Sequence, residues 1–351
     1  MRIQKITELK GGEILAKMVM TSDYTVLLSE GTKLRKEYID KLKELGVKEV
    51  VVEDEINTEE VKILKDETGK NFKDKVKDII EKHTYRHSKE LVELSKTADN
   101  IIDNLLEEEE VVKRIYDIKE RSSDIYEHSI NICSLAILVS LKMKIPQNKI
   151  HDIGVGCLLH DLGLRYITVD YTNRSIEEFS EVELAEYKKH PIYGYSALKD
   201  ETWISDLSKD IILYHHQNMD GSGYPLKSIH VPMEVKIVNI CEQFDEMICG
   251  IGHNRLKVYE AIQYLKKNKD ILFDGSIVSV FLDFTAVYPA GSYVLTNEGE
   301  IGIVLRQNKN NPDRPFIKII YDKLGNRVQH DFVKDLLTEE NVFIEKVIEN
   351  I

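Results

Sequence analysis

The sequence predicts a mainly α fold: a central all-helical domain flanked by a small N-terminal α/β unit and a small C-terminal β module. Three observations predict it. Between residues 113 and 283 apolar residues recur in long helical runs such as NICSLAILVSL. Before residue 57, the short runs IQKI and VKEVVV alternate as strands do around one helical pattern. After residue 284, glycines punctuate the β-rich runs SYVLT, IGIVLRQ and FIKIIY.

The elements follow in order. In 1–56, a regulatory or interaction unit, Ile3 to Ile6 reads as a strand and Gly11-Gly12 as a turn. Tyr24 to Leu28 is strand-like again, and Glu37 to Leu45 carries helical spacing that Gly46 ends. Val47 to Val52 reads as a strand. Residues 57–112 form an amphipathic helical connector, with apolar residues at Val76, Ile79 and Ile80 and from Leu91 to Leu105. The run Glu107 to Glu110 reads as a solvated helix face. In the central segment, Ser129 to Leu141, Ile153 to Leu164, Val235 to Met247 and Val258 to Leu265 read as helices. Residues 284–351 read as an antiparallel β module, with turns at 308–315 and 324–326 and a short helix near its end.

Bulk composition narrows the function. The 351 residues carry a formal charge of −13, with 61 acidic against 48 basic side chains, and no long basic run. A DNA or RNA polymer is therefore not an expected partner, because gripping that backbone takes clustered positive charge. Cys133, Cys157, Cys241 and Cys249 lie in apolar stretches without a CxxC pair and read as reduced thiols. No apolar run reaches the ~20 residues that span a bilayer. The opening MRIQKITELKGGE lacks the apolar core of a signal peptide. These features point to the cytoplasm.

Histidine placement carries the chemistry. Of eleven histidines, five in the central segment stand beside apolar runs: His128, His160, His190, His215 and His216, with Asp161 directly after His160. Each stands where an apolar helix or a turn can aim it inward. A lone buried histidine is commonly a hydrogen-bonded core residue. Five at apolar helix ends, one beside a carboxylate, suggest a shared metal site of iron, manganese, zinc or nickel type. Paired ions held by such residues suit in-line displacement at phosphorus.

The order His128, His160-Asp161, His190-Pro191, His215-His216 and then Asp220-Gly221-Ser222-Gly223-Tyr224-Pro225 resembles the HD-GYP family, the cyclic di-GMP phosphodiesterase branch of the HD metal-dependent phosphohydrolases. The resemblance covers residues 113–283. The flanking stretches GGEILAKMVMTSDYTVLLSEGT and VYPAGSYVLTNEGEIGIVL are similar to segments that accompany such domains. It implies an HD-type helical domain and a metal-dependent phosphodiesterase, with a cyclic dinucleotide as substrate. Hydrolysis through a metal-bridging hydroxide would give the linear dinucleotide or GMP. The implied cofactors are two divalent transition metal ions, iron or manganese, with a third in some members. By position His128, His160, Asp161, His190, His215 and His216 match metal ligands, with His160 and Asp161 at the catalytic core. Glu242 stands where the family has an aspartate, Asp245 would support it, and Asp124 is the candidate ligand for a third ion, or else a helix N-cap. In the loop, Gly221 and Gly223 allow backbone conformations closed to other residues, and Tyr224 and Pro225 stiffen the exit. The loop would face substrate or a protein partner.

Departures from the family also count. Leu164 stands where the family's HDxGK motif has lysine, Gln217 replaces the glutamate of HHE, and the RPYR-like stretch is absent from GIGHNRL. Arg165, Lys188 and Lys189 are the cations placed to meet phosphate instead. These changes keep open a cyclic-dinucleotide sensor or interaction module with weakened catalysis, or a phosphohydrolase acting on another nucleotide. The helices of 57–112 suit a homodimer interface or packing on their own domain. His151-Asp152 reads as lying near a helix start, His83 and His87 as a solvated pair, and His230, His253 and His330 as surface residues. Trp203 reads as core packing.

Overall fold

A computed structural model describes residues 2–20, 26–29, 31–52, 58–86, 89–108, 110–227, 230–309, 311–328 and 332–348. Tyr24, His87, Glu109 and His330 lie outside the described residues. The chain divides into two units, 1–57 and 58–351.

In the first unit β1 (Arg2–Lys5) pairs antiparallel with the strand after the helix, and β2 (Val19–Met20) pairs with β3 (Val26–Leu28). Helix α1 (Lys36–Glu44) and β4 (Glu49–Val52), the partner of β1, complete it. Gly46, at φ +76°, turns the chain out of α1 where a Cβ would be strained. Ile39 and Leu42 of α1 bury against Leu15, Val50 and Val52.

The second unit begins with α2 (Asp66–Arg86) and α3 (Glu93–Leu106). The amphipathic stretch expected of 57–112 is thus two helices, with a 3₁₀ turn at Lys89–Val92 between them. Their apolar faces, including Val76, Ile80, Leu94 and Ile101, belong to the same core as the central helices. The acidic run is not a helix face: Glu107 caps α3, Glu108 pairs with Lys65 and Arg114, and Glu110 is left-handed at φ 56°.

The central helices are α4 (Ile125–Lys142), α5 (Gln147–Leu159), α6 (Glu181–Tyr187), α7 (His190–Leu198), α8 (Asp206–Tyr214), α9 (Met233–Cys249), α10 (Val258–Lys267) and α11 (Gly275–Leu282). Helix α4 is nearly buried all round, which its continuous apolar run requires. Helix α5 stops at Leu159, and His160–Tyr166 continues as a 3₁₀ turn rather than as the α-helix expected to Leu164. Two contacts lock the elements that carry the histidines. Ser208 Oγ donates to the Asp152 carbonyl at 2.7 Å, tying α8 to α5, and Asn239 Nδ2 of α9 donates to the His215 carbonyl at 2.8 Å. As expected, Asp152 lies in the early part of α5; its neighbour His151 is tied to Asp99 and Ser95 of α3.

The C-terminal module comprises β5 (Tyr293–Thr296), β6 (Ile301–Asn308), β7 (Asn311–Tyr321), β8 (Val333–Asp335) and β9 (Ile344–Ile348) in one antiparallel sheet ordered β8-β7-β6-β5-β9. The short helix expected near its end is instead strand β8, a turn and strand β9. Asp335 sets the turn, its carboxylate accepting from Leu337 N–H and its carbonyl from Thr338 and Glu339 N–H. Leu336, Val342 and Ile344 then drop into the sheet core, which an amphipathic helix would not place there. Buried Asp117 fastens this module to the helices, accepting from Val61 N–H, Ala290 N–H and Gln307 Nε2 at 2.7 to 2.8 Å.

Candidate metal centre

Four helix ends and one helix face converge. His128 sits one turn into α4, His160 and Asp161 open the 3₁₀ turn after α5, and His190 starts α7. His215 caps α8 with His216 next in the chain, and Glu242 projects from the middle of α9. All seven are buried.

The ring nitrogens sort into two kinds. The Nδ1 atoms have partners at the periphery: His128 donates to Asp245 Oδ2 at 2.8 Å, His160 to the Cys157 carbonyl at 2.7 Å, His190 to the Tyr187 carbonyl at 2.9 Å and His215 to the Ile212 carbonyl at 3.0 Å. Carbonyls and carboxylates only accept, so these partners assign the proton to Nδ1. In the neutral ring each Nε2 is then a bare lone pair, aimed inward.

Those lone pairs gather around two loci with Asp161 between them. Oδ2 of Asp161 faces His160 Nε2 at 3.3 Å and His128 Nε2 at 3.6 Å, while Glu242 reaches His160 at 3.1 Å and His128 at 3.2 Å. Oδ1 faces the other way, 3.3 Å from His190 Nε2 and 3.9 Å from His215 Nε2. His190 and His215 Nε2 stand only 3.1 Å apart. Two neutral acceptors at that spacing repel unless a cation lies between them. Donors ~2.1 Å from one ion are spaced roughly 3 Å apart at right angles. His160 Nε2, His216 Nε2, Asp161 Oδ2 and Glu242 Oε2 are moreover buried without a hydrogen-bond partner. The residues present therefore fit a pair of bound metal ions. The ligating atoms of His128, His160, Asp161 and Glu242 lie within 4.8 Å of one another, as do those of His190, His215 and His216.

Electrostatics distinguishes the two halves. Burial lowers His160, but Asp161 and Glu242 beside it outweigh burial and hold it up at about 10. His128 is likewise raised, with burial opposing and Glu242 and Asp245 prevailing. Burial alone would raise Asp161, yet the adjacent His160 holds its carboxyl well below the usual range. On the other side burial, reinforced by the charge of His160, pushes His215 down to about 3, and burial lowers His190 and His216 as well. One locus thus demands positive charge, and the other keeps neutral imidazoles ready to ligate.

The loop at 220–225 closes on this centre. Gly221 is left-handed at φ +78°, as expected of it. Gly223 serves a different purpose: a Cβ there would stand 2.2 Å from the His216 carbonyl oxygen and 2.5 Å from Asn218 N. Its absence lets the loop lie on the backbone of His216. Tyr224 N–H donates to that carbonyl at 3.3 Å, and the Tyr224 ring stacks on the His216 ring with centroids 4.5 Å apart at 21°. Pro225 follows through a cis peptide bond. Tyr224 therefore holds His216 in place.

Other expected residues divide. Asp124 caps α4: its Oδ1 accepts from Tyr126 and Glu127 N–H, and Oδ2 faces Lys73 at 3.4 Å. Both oxygens are engaged away from the cluster, so the third-ion assignment is corrected to that of an N-cap. Arg165 is committed to α2 through Glu81 and Tyr85, both at 3.0 Å, and Lys189 pairs with Glu186 at 3.1 Å. Lys188 stands over the Tyr224 ring, 5.6 Å from its centroid, the candidate cation beside the cluster. Leu164 packs with Phe179 and Tyr187 in a small apolar cluster. His253, expected at the surface, is half-buried with Nε2 3.9 Å from Glu246. Trp203 packs against the core and donates to Glu201.

Asp245 stands behind His128, accepting its Nδ1–H at 2.8 Å, and its other oxygen takes the Arg121 guanidinium. Arg121 was not legible in the sequence, since it lies 124 positions away. Asp245→Asn keeps the size but weakens the acceptor for His128 Nδ1–H. Metal affinity, followed by titrating metal-stripped protein with Mn²⁺, is expected to fall ~10–100-fold. Unchanged affinity would show that Asp245 does not set the His128 ring. Glu246 was also missed, although it lies four residues after Glu242 on the same helix.

The HD domain family matches residues 75–277, and a KOW domain associated with HD domain matches 293–351. A cyclic di-GMP phosphodiesterase of Pseudomonas aeruginosa is 24% identical over 230 residues, 65% of this chain and 55% of that protein. The cyclic di-GMP phosphodiesterase PdeB of Borreliella burgdorferi is 26% identical over 199 residues, 55% of this chain and 51% of that protein. A cyclic di-GMP phosphodiesterase of Thermotoga maritima is 26% identical over 227 residues, 59% of this chain and 60% of that protein. The chain spans about half the length of these curated relatives. Among solved structures, Bd1817, a HDG"Y"P protein from Bdellovibrio bacteriovorus, aligns with a TM-score of 0.53 at 17% identity, covering 80% of this chain and 98% of that one. That likeness is one of fold. Among the described residues, no helix is long and apolar enough to cross a membrane.

Proposed function

The chain belongs to the HD domain family, and on that premise we propose that it is a metal-dependent phosphodiesterase that hydrolyses cyclic di-GMP to the linear dinucleotide or GMP. The observation that carries the reading is the division of Asp161, with one oxygen 3.3 Å from His160 Nε2 and the other 3.3 Å from His190 Nε2. A carboxylate so placed would help hold an ion at each locus. Iron or manganese bound there would supply Lewis acidity to the phosphodiester oxygens and lower the pKa of water.

The chain's own residues do the rest. His128 and His160 with Glu242 hold one locus, and His190, His215 and His216 hold the other. Nδ1 bonds fix the rings of His128, His160, His190 and His215, and stacking on Tyr224 holds that of His216, so no reorganisation is needed at the moment of reaction. Lys188, which stands over the Tyr224 ring, would meet a substrate phosphate. It would stand in for the lysine missing at Leu164, which is buried among apolar side chains and has no proton to give. The leaving oxygen would take its proton from water or from another residue.

The test is turnover by the purified chain loaded anaerobically with iron or manganese. Cyclic di-GMP should be linearised, and faster than other cyclic dinucleotides or mononucleotides in a panel. Preference for a different nucleotide would assign the site another substrate. A second reading, a cyclic-dinucleotide sensor, is favoured by Leu164, since that position offers the ligand no charge. Saturable binding of cyclic di-GMP by metal-loaded protein with no linear product would establish it.

A further inference from the structure

Glu246 lies one turn beyond Glu242 on α9, so both carboxylates project from the same face. It is only 3% exposed, yet no lysine or arginine pairs with it among the described residues. The Tyr187 hydroxyl donates to Oε1 at 3.3 Å and Gln243 Nε2 to Oε2 at 3.0 Å. His216 Nε2 stands 3.9 Å from Oε1, too far for a hydrogen bond. That same His216 Nε2, fully enclosed, has no hydrogen-bond partner, and neither has Glu242 Oε2. The ligating atoms of His216, Glu242 and Glu246 all lie within 4.8 Å of one another.

We propose that Glu246 is a further metal ligand, completing the locus held by His190, His215 and His216; the inference rests on the metal reading above and deepens it. Two neutral donors account for a buried Glu246 carboxyl, but they leave His216 Nε2 and Glu242 Oε2 orphaned. The ion that His216 would hold lies within reach of a Glu246 oxygen, since the ligating atoms of the two residues are within 4.8 Å of each other. Charge balance points the same way. The imidazole-rich locus has only Asp161 Oδ1 as a negative donor, and Asp245 is already matched by Arg121. With Asp161 and Glu242 alone, two divalent ions would leave two buried positive charges uncompensated. Glu246 removes one, and a phosphodiester anion can neutralise the other. Carboxylate added to imidazole also favours iron or manganese over a purely nitrogen-rich site.

The experiment reads metal rather than turnover. Wild-type protein, Glu246→Gln, Glu246→Asp and Tyr187→Phe are stripped with chelator, titrated with Mn²⁺ and assayed for bound metal by elemental analysis. Wild type should take up two ions. Glu246→Gln should lose one of them or bind it at least ~10-fold more weakly. Glu246→Asp, which keeps the carboxylate, should recover part of that affinity. Tyr187→Phe should keep both ions, because it removes only a hydrogen bond to Glu246. Two ions bound by Glu246→Gln at wild-type affinity would overturn the inference and leave the metal reading standing. So would equal losses in Glu246→Gln and Tyr187→Phe, which would make Glu246 a structural hydrogen-bonding group. A wild-type chain that binds no ion would overturn both.

Discussion

If the proposed function holds, Asp161→Asn is expected to slow cyclic di-GMP hydrolysis by ~10³-fold or more and to leave the protein unable to hold both ions at once. The size follows from the several kcal/mol that a metal pair contributes to phosphoryl transfer. The cause is the two-sided geometry of this carboxylate. Oδ2 serves the locus of His128 and His160, and Oδ1 that of His190 and His215. Asparagine has nearly the same shape but only one ligating oxygen, and its NH₂ group presents hydrogens toward the other locus. Whichever way the amide turns, one locus faces N–H hydrogens and the other keeps only a neutral carbonyl oxygen. His160→Ala offers a contrast, since it strips one locus and leaves Asp161 to serve the other. Metal content and turnover measured on the same preparations check the claim. Wild-type turnover with both ions retained in Asp161→Asn would show that Asp161 does not bridge.

Much of this centre is legible in the sequence because its ligands stand at the ends of apolar helices. His128 opens the run that becomes α4, His160 ends the run of α5, and His215-His216 follow Ile211-Ile212 of α8. Polar residues in such places need partners, and they announce that need locally. Asp245 was readable from its place beside Glu242. What sequence does not show is which groups meet across space. Arg121 reaches Asp245 from 124 positions away, and Glu246 sits in the run CEQFDEMIC, where only Glu242 and Asp245 match the family's pattern. Asp124 has two plausible uses by spacing, and only the N–H groups of Tyr126 and Glu127 decide between them. The fold shows the same division. The apolar runs give the helices and the SYVLT, IGIVLRQ and FIKIIY strands, whereas the C-terminal turn at Asp335 depends on side-chain bonds that no periodicity reports.

Gly163→Ala is expected to destabilise the fold by on the order of 3 kcal/mol and to cost the centre ~10²-fold or more in turnover. Gly163 lies in the 3₁₀ turn two residues after Asp161, where the turn presses against the start of α7. A Cβ there would stand 1.8 Å from the His190 carbonyl oxygen and 2.8 Å from Gly194 N. Backbone atoms cannot swing aside as a side chain can, so the turn and α7 must move apart. That motion acts on the 3.3 Å approach of Asp161 to His190, the joint between the two loci. Gly194, on the facing helix, supplies the control. Its nearest contacts for an added Cβ are 3.3 Å away, at Gly163 N and Ile212, so Gly194→Ala requires shifts of only a few tenths of an ångström. Thermal unfolding and Mn²⁺ titration of the two variants should therefore rank them far apart, with Gly163→Ala much the worse in both. Equal behaviour, or a worse Gly194→Ala, would show that the close approach at Gly163 does not set the spacing of the loci.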